Sequence, residues 1–127
     1  MPRESADTVS WDVCRGRTLG PAPFFVVGIL NATPDSFYDG GSACGTAALV
    51  DRALGLLDQG ADILDIGGES TRPFAEAVPA DVELQRVLPV VAGVLRARPG
   101  AAVSVDTTKA GVARACLEAG AVILNDV

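Results

Sequence analysis

Histidine is absent from the 127 residues of this chain. That absence excludes nucleophilic sites built on Ser-His or Cys-His pairs and zinc sites with histidine ligands. Any catalysis by this chain must therefore use carboxylates, amides, hydroxyls, lysine, arginine or a hard metal ion. Basic residues are also few, ten against sixteen acidic ones, and the net charge of −6 argues against nucleic-acid or anionic-membrane partners.

Paired cysteines and long apolar segments are missing as well. Cys14, Cys44 and Cys116 are odd in number and far apart, which fits neither a disulfide framework nor a paired zinc motif. No apolar run approaches the roughly 20 residues that cross a bilayer, and residues 1–10 lack the basic-then-apolar order of a secretory signal. We therefore expect ordinary thiols and a cytoplasmic protein.

The residues that are present predict a globular α/β domain, since 49% of them are hydrophobic. Three amphipathic helices are predicted, over residues 46–59, over residues 84–95 and after Thr108. Strands and helices alternate, which predicts a parallel sheet with right-handed crossovers. The four buried strands are predicted at residues 24–30, 63–66, 102–105 and 122–124.

Helix ends carry further signals. Gly60 is a plausible stop for the first helix, Asp81 a candidate N-cap for the second and Thr108 a candidate N-cap for the third. Pro89 lies inside the second helix and should kink it.

An internal repeat indicates a barrel. Residues 53–65 recur as residues 113–125, with Ala, Leu, Gly, Ala, Ile and Leu at matched positions. Repeated βα units predict a (β/α)8 barrel, which needs about 250 residues, so this chain would form part of one with parallel strands 1–4. Residues 9–19 would then be either a hairpin that plugs the barrel floor or a frayed lead-in.

Polar groups follow each predicted strand, at the sheet edge where parallel α/β proteins bind ligands. Asn31 ends the first strand, and its amide oxygen would either cap local backbone or coordinate a hard cation such as Mg²⁺. Residues 67–72, Gly-Gly-Glu-Ser-Thr-Arg, would either form an ordinary glycine turn or hold a phosphate or pyrophosphate.

The third and fourth strands end at Asp106 and Asn125. The carboxylate of Asp106 only accepts hydrogen bonds, and the amide of Asn125 both donates and accepts them, a combination that suits the edge of a heterocycle such as a pterin. Either residue could instead cap the following helix. Asp65, inside the second strand, should face the same interior and support that site.

With these residues assembled, the chain resembles the N-terminal half of the dihydropteroate synthase family. The resemblance covers nearly the whole chain and lies in four motifs that match the family in order and spacing. They are Gly-Ile-Leu-Asn-Ala-Thr-Pro-Asp-Ser-Phe at 28–37, Gly-Gly-Glu-Ser-Thr-Arg-Pro at 67–73, Ser-Val-Asp-Thr at 104–107 and Ile-Leu-Asn-Asp at 123–126.

The resemblance implies a (β/α)8 barrel that joins 4-aminobenzoate to (7,8-dihydropterin-6-yl)methyl diphosphate and releases pyrophosphate with the help of Mg²⁺. It implies that Asn31 binds the metal, that Asp106 and Asn125 hold the pterin, and that Arg72 and Asp39 assist catalysis on two loops. Further substrate contacts are implied for Thr71, Phe37, Pro73 and Arg72 itself.

Residues 1–127 would be the N-terminal portion of a single pterin-binding barrel domain, with residues 1–22 as lead-in or floor hairpin. The family's later strands carry further substrate-binding residues, so we expect this chain alone to be inactive and the full-length form to be a homodimer. Two alternatives are the pterin-binding domain of a folate-dependent methyltransferase and a non-catalytic half-barrel. A methyl-folate site has no diphosphate to hold, and the Arg72 loop argues against it.

Overall fold

A two-stranded hairpin and a four-stranded parallel sheet with three helices make up the computed structural model, which describes residues 8–33, 45–69 and 77–126. The strands are β1 (Val9–Val13), β2 (Arg17–Ala22), β3 (Val27–Asn31), β4 (Ile63–Gly67), β5 (Ala102–Asp106) and β6 (Ile123–Asn125). The helices are α1 (Gly45–Asp58), α2 (Ala80–Ala97) and α3 (Ala110–Ala119).

The sheet has the order β3-β4-β5-β6, and every neighbouring pair is parallel. One helix separates each strand from the next, so the predicted α/β alternation is confirmed. The first strand was predicted to begin at residue 24, which is wrong, because its partner β4 begins only at Ile63. Just before the ladder, the N–H of Val26 donates instead to the carboxylate of Asp62 at 2.8 Å.

One face of the sheet is covered by the helices. Side chains from the strand interiors, such as Leu30, Leu64 and Val103, are at most 1% exposed there. Burying a Leu or Val side chain completely contributes roughly 1.5–3 kcal/mol, so this layer is the main source of stability. The helix residues that pack against it include Leu49, Ala53, Val87, Val91, Val94, Val112 and Cys116.

The opposite face carries a different set of residues. Asp65 and Ser104 lie on it, and Val27 and Ile29 remain 47% and 68% exposed. No helix of the described ranges covers this face. The sheet therefore separates an apolar helix-covered side from a more polar side that is open to a ligand.

The hairpin of β1 and β2 lies at the amino ends of the sheet strands, and whether it closes a barrel floor stays a prediction. The N–H of Cys14 donates to the carbonyl of Val122 at 3.0 Å, and the Arg17 guanidinium donates to the carbonyls of Gly100 and Ala101 at 2.5 and 3.2 Å. Leu19 packs on Ile63, Ala102 and Val122.

The internal repeat recurs in the backbone. Gly60 and Gly120 follow α1 and α3 with φ angles of 115° and 123°, in the left-handed region that favours glycine. The N–H of Ala61 donates to Leu56, and that of Ala121 donates to Cys116, each at 3.0 Å. Both helices therefore end in the same turn, and Gly60 acts as the predicted stop.

The two predicted N-caps are wrong. Pro79, whose ring presets its φ angle, occupies the N-cap position of α2, and Asp81 lies inside the first turn, where its charge suits the helix dipole. Lys109 occupies the N-cap position of α3, and its N–H donates to the hydroxyl of Thr107 at 3.1 Å. Pro89 lies inside α2, and the kink expected there stays a prediction.

None of the helices within residues 8–33, 45–69 and 77–126 is both long enough and apolar enough to cross a bilayer.

A pair of glycine substitutions tests the packing of β4 against α2. A Cβ on Gly68 would lie 2.8 Å from Cγ2 of Val87 and 3.1 Å from the backbone oxygen of Glu83. We expect Gly68→Ala to lower the free energy of unfolding by about 1–3 kcal/mol in a urea titration. Gly55→Ala is the control, because a Cβ at this position of α1 meets nothing within 4 Å. This substitution should raise the free energy of unfolding by up to about 1 kcal/mol. Equal effects of the two substitutions would contradict this packing.

Candidate active site

Four residues form one row across the carboxyl edge of the sheet. Asn31 is in register with Gly67, Gly67 with Asp106, and Asp106 with Asn125. Residues in register on parallel strands project from the same face, so the three side chains share the face that the helices leave open. The structure thus places Asn31, Asp106 and Asn125 on one face, at one edge of the sheet.

Gly67 provides the space in this row. A Cβ at that position would lie 3.4 Å from Oδ2 of Asp106 and 3.3 Å from its Cβ. The Asp106 side chain therefore leans over β4, toward Asn31, and any side chain at position 67 would crowd it.

Asp65 lies one inward-facing position deeper on β4 and is only 6% exposed. Its Oδ2 accepts a hydrogen bond from Nδ2 of Asn125 at 3.0 Å. Its Oδ1 is buried and has no hydrogen-bond partner in the part of the chain that the structure describes. Asp65 therefore lies on the expected face and contacts a residue of the rim.

A cavity of about 270 Å³ lies beneath the row on the same face. Trp11 of the hairpin contributes to its lining, next to residues of all four sheet strands. Its other lining residues are Val27, Ile63, Asp65, Ser104, Ile123, Leu124 and Asn125.

Negative charge accumulates around Asp106. Partial burial raises the pKa of the Asp106 carboxyl above its ordinary value of 3.8, and repulsion from Asp65, Glu83, Glu69 and Asp126 raises it further. The folded protein therefore binds the proton of Asp106 more tightly than the unfolded chain does. A ligand that donates hydrogen bonds to this carboxylate would relieve the same repulsion.

One lysine offsets part of this charge, and sequence reasoning missed it. Lys109 Nζ lies 2.7 Å from Oε1 of Glu83 and 3.2 Å from Oε2 of Glu69. The hydrogen bond with the fully buried Glu83 is the largest cause that raises the pKa of Lys109. Glu83 occupies a buried position on α2. A glutamate on the apolar face of a predicted helix was therefore the sequence signal for a basic partner.

Glu69, which follows β4, forms a hydrogen bond with the backbone just before α2. Its Oε2 accepts the N–H of Val78 at 3.1 Å, and this bond is the main cause that lowers the pKa of Glu69. The guanidinium of Arg86 donates to the neighbouring Gly68 carbonyl at 2.9 Å. The end of β4 is thus held against α2 and α3 by polar contacts.

The remaining predicted site residues lie outside the described ranges. They are Phe37, Asp39, Thr71, Arg72 and Pro73. Within residues 8–33, 45–69 and 77–126 no three acidic or cysteine side chains are grouped so that they could hold a metal ion.

Residues 27–127 match the family described as pterin binding enzyme. The chain belongs to this family. The dihydropteroate synthase of Bacillus subtilis strain 168 is 50% identical over 102 residues, which are 80% of this chain and 35% of that relative.

Solved structures of the family share the fold. The Xanthomonas albilineans dihydropteroate synthase with 4-aminobenzoic acid superposes with a TM-score of 0.84 at 49% identity, over 93% of this chain and 43% of that one. The same enzyme with 7,8-dihydropteroate superposes with a TM-score of 0.79 at 44% identity, over 94% of this chain and 42% of that one. The α/β unit is thus part of a (β/α)8 barrel and spans under half of each synthase. The predicted family resemblance is confirmed.

Replacing Asp106 with asparagine tests the charge balance of the site. An ionised carboxylate whose folded-state pKa is raised destabilises the protein above the ordinary pKa of 3.8. We therefore expect Asp106→Asn to have a higher melting temperature than the parent protein at pH 8. The gap should shrink as the pH falls toward 3.8. Asp51→Asn, at an exposed position, is the control, and its melting temperature should differ little from that of the parent protein at either pH. An Asp106→Asn variant that melts below the parent protein at pH 8 would contradict this charge balance.

Replacing Lys109 with methionine tests the buried ion pair. Without the ammonium, a carboxylate of 0% exposure at Glu83 loses its charged partner, and we expect a loss of about 3 kcal/mol in the free energy of unfolding. Arg98→Met is the matched control, because it breaks the ion pair of Arg98 with Asp58, whose side chains are 42% and 69% exposed. This substitution should lower the free energy of unfolding by less than about 1 kcal/mol. Urea titrations of both variants measure the difference, and equal losses would refute the role of burial.

Proposed function

We propose that the protein containing this chain condenses 4-aminobenzoate with (7,8-dihydropterin-6-yl)methyl diphosphate to give dihydropteroate and pyrophosphate. Family membership supports a pterin substrate. The synthase of Xanthomonas albilineans has been solved with 4-aminobenzoic acid and with 7,8-dihydropteroate, one substrate and the product of this reaction.

The observation that carries the proposal is the row formed by Asn31, Gly67, Asp106 and Asn125. Three polar side chains from three strands share one face at the carboxyl edge, next to a cavity lined partly by Asp65. In this reading residues 1–127 are the N-terminal portion of one barrel domain. The hairpin within residues 1–22 closes its floor.

Asp106 and Asn125 would hold the pterin ring. The carboxylate of Asp106 accepts hydrogen bonds from ring N–H groups, and the amide of Asn125 offers both a donor and an acceptor. A dihydropterin carries adjacent N–H groups and ring nitrogens along its edge, so it complements this pair.

Loop residues would act at the diphosphate and at the amine. We assign Arg72 and Thr71 to the diphosphate, Phe37 and Pro73 to the wall of the aminobenzoate pocket, and Asp39 to a contact with Arg72. The support for the roles of Phe37, Thr71, Arg72 and Pro73 is the motif sequence itself, at residues 33–37 and 67–73, and Asp39 is assigned because it follows the first motif on the same loop.

Asn31 fits a magnesium site of a particular kind. Mg²⁺ keeps several waters and binds through one or two protein oxygens together with substrate phosphates. A single amide oxygen from Asn31, at the carboxyl edge of the sheet, matches that requirement. When bound, the ion would neutralise charge on the departing pyrophosphate.

The reaction needs no protein nucleophile. The nitrogen of 4-aminobenzoate forms a bond to the methylene carbon of the pterin, the bond from that carbon to the diphosphate oxygen breaks, and its electron pair leaves with pyrophosphate. The amine then releases one proton. The guanidinium of Arg72 would stabilise negative charge on the leaving group, and Asp106 would stabilise positive charge shared with the pterin.

We infer a cytoplasmic enzyme, because the substrates are small and charged. We also propose that the full-length protein is a homodimer. The net charge of −6 on residues 1–127 argues against nucleic-acid or membrane partners for this part of it.

Activity assays on the full-length protein test the proposal. Arg72→Ala should lower kcat roughly 100- to 1,000-fold, because a charge that stabilises the leaving group in the transition state is lost. Dihydropteroate formation from the two substrates is the measurement. Arg52→Ala, an exposed substitution on α1, is the control and should leave kcat unchanged.

A folded full-length protein that forms no dihydropteroate would refute the proposal. Tight binding of methyltetrahydrofolate without diphosphate-dependent chemistry would instead support a methyltransferase domain. Binding of neither substrate would support a non-catalytic barrel.

A further inference from the structure

The hydrogen bond between Asn125 and Asp65 crosses a strand. Asp65 lies on β4 and Asn125 on β6, and β5 runs between them, so their backbones are roughly 9–10 Å apart. Their side chains nevertheless meet at 3.0 Å. Both therefore reach over β5 on the open face of the sheet, above the buried Ser104.

The chemistry of the pair determines which way the amide is turned. An ionised carboxylate only accepts hydrogen bonds, so the NH₂ group of Asn125 must face Asp65. The amide oxygen of Asn125 consequently lies on the side of the group away from Asp65. Reversing the amide would place two acceptors against each other, and the buried carboxylate would lose its donor.

A second observation concerns the other oxygen of the same carboxylate. Asp65 is 6% exposed, and its Oδ1 is buried without a hydrogen-bond partner among residues 8–33, 45–69 and 77–126. Buried polar atoms are normally satisfied, and Asp65 lines the cavity, so its second oxygen is a candidate acceptor for a donor from a ligand or a bound water. The lining of this cavity of about 270 Å³ includes Asp65 and Asn125 but no lysine or arginine.

We propose that Asp65 is a positioning residue that makes the cavity beneath the rim, next to the proposed pterin ligands, selective for a ring edge that donates hydrogen bonds. It holds the amide oxygen of Asn125 as a fixed acceptor and adds its own Oδ1 as a second one. The preferred edge is an amino-substituted pyrimidine, and an oxo group at the same ring position is disfavoured because it places acceptor against acceptor. This inference rests on the proposed function and goes beyond it, because it names what determines the ring preference.

The charge around the site supports this role. Asp65 is the largest charged contributor that raises the pKa of Asp106, so Asp65 contributes a negative field to the same site. A ligand that donates several N–H groups relieves the repulsion between the two carboxylates, and one that offers oxygens adds to it. Removing the Asp65 charge relieves the repulsion too, and variants at this position are therefore expected to fold.

Two probes that differ at one ring position test the inference. Pterin carries an amino group at ring carbon 2, and lumazine carries an oxo group there. Calorimetric titration of the full-length protein should give a preference for pterin of about tenfold or more. In Asp65→Asn the preference should fall to within about threefold, because a carboxamide at position 65 pairs with either orientation of Asn125. Asp51→Asn on α1 is the matched control and should keep the parental ratio.

The ratio of the affinities for pterin and lumazine distinguishes a positioning role of Asp65 from a general structural role. General loosening of the site would weaken both probes equally and leave their ratio unchanged, and that result would overturn the inference. Asp65→Ser provides a second variant of lower polarity, for which the same collapse of the ratio is expected. If the parent protein binds neither probe and forms no dihydropteroate, the proposed function fails. If it does both and Asp65→Asn keeps the ratio, only the inference about Asp65 fails.

Discussion

The register of the four parallel strands is the constraint on which the rest of the structure depends. Side chains alternate between the two faces of a strand, so a slip of one residue would turn Asn31, Asp106 and Asn125 into the helix layer. The register is specified because Leu30, Leu64, Val103 and their neighbours must be buried on that side. The apolar face thus determines where the polar face presents its functional groups.

Several carboxylates are buried or partly buried close to the rim of the sheet. Partial burial raises the pKa of Asp106, and repulsion from Asp65, Glu83, Glu69 and Asp126 raises it further. Among the described residues, Lys109 is the basic group that pairs with Glu83 and Glu69. Such a site is less stable than an apolar one would be. A donor-rich heterocycle that hydrogen-bonds to these groups would relieve the electrostatic repulsion between them.

Much of the fold was predictable because strands buried in a parallel sheet appear as short apolar runs. The ends of the elements were harder to predict. The first strand begins at Val27, where its partner β4 begins at Ile63, and the N-cap positions of α2 and α3 are Pro79 and Lys109 rather than the polar residues proposed as caps. The rim residues were predictable from their positions at strand ends. The Lys109–Glu83 pair was not, because nothing local in the sequence links residues 26 positions apart.

The most direct test of the account is a crystal structure of the full-length protein with bound 7,8-dihydropteroate. The account predicts that the pterin ring lies on the open face of the sheet, within hydrogen-bond distance of the Asp106 carboxylate and the Asn125 amide, with Asp65 still bonded to Asn125. A ring bound elsewhere, with Asp106 and Asn125 contacting only protein groups, would contradict it.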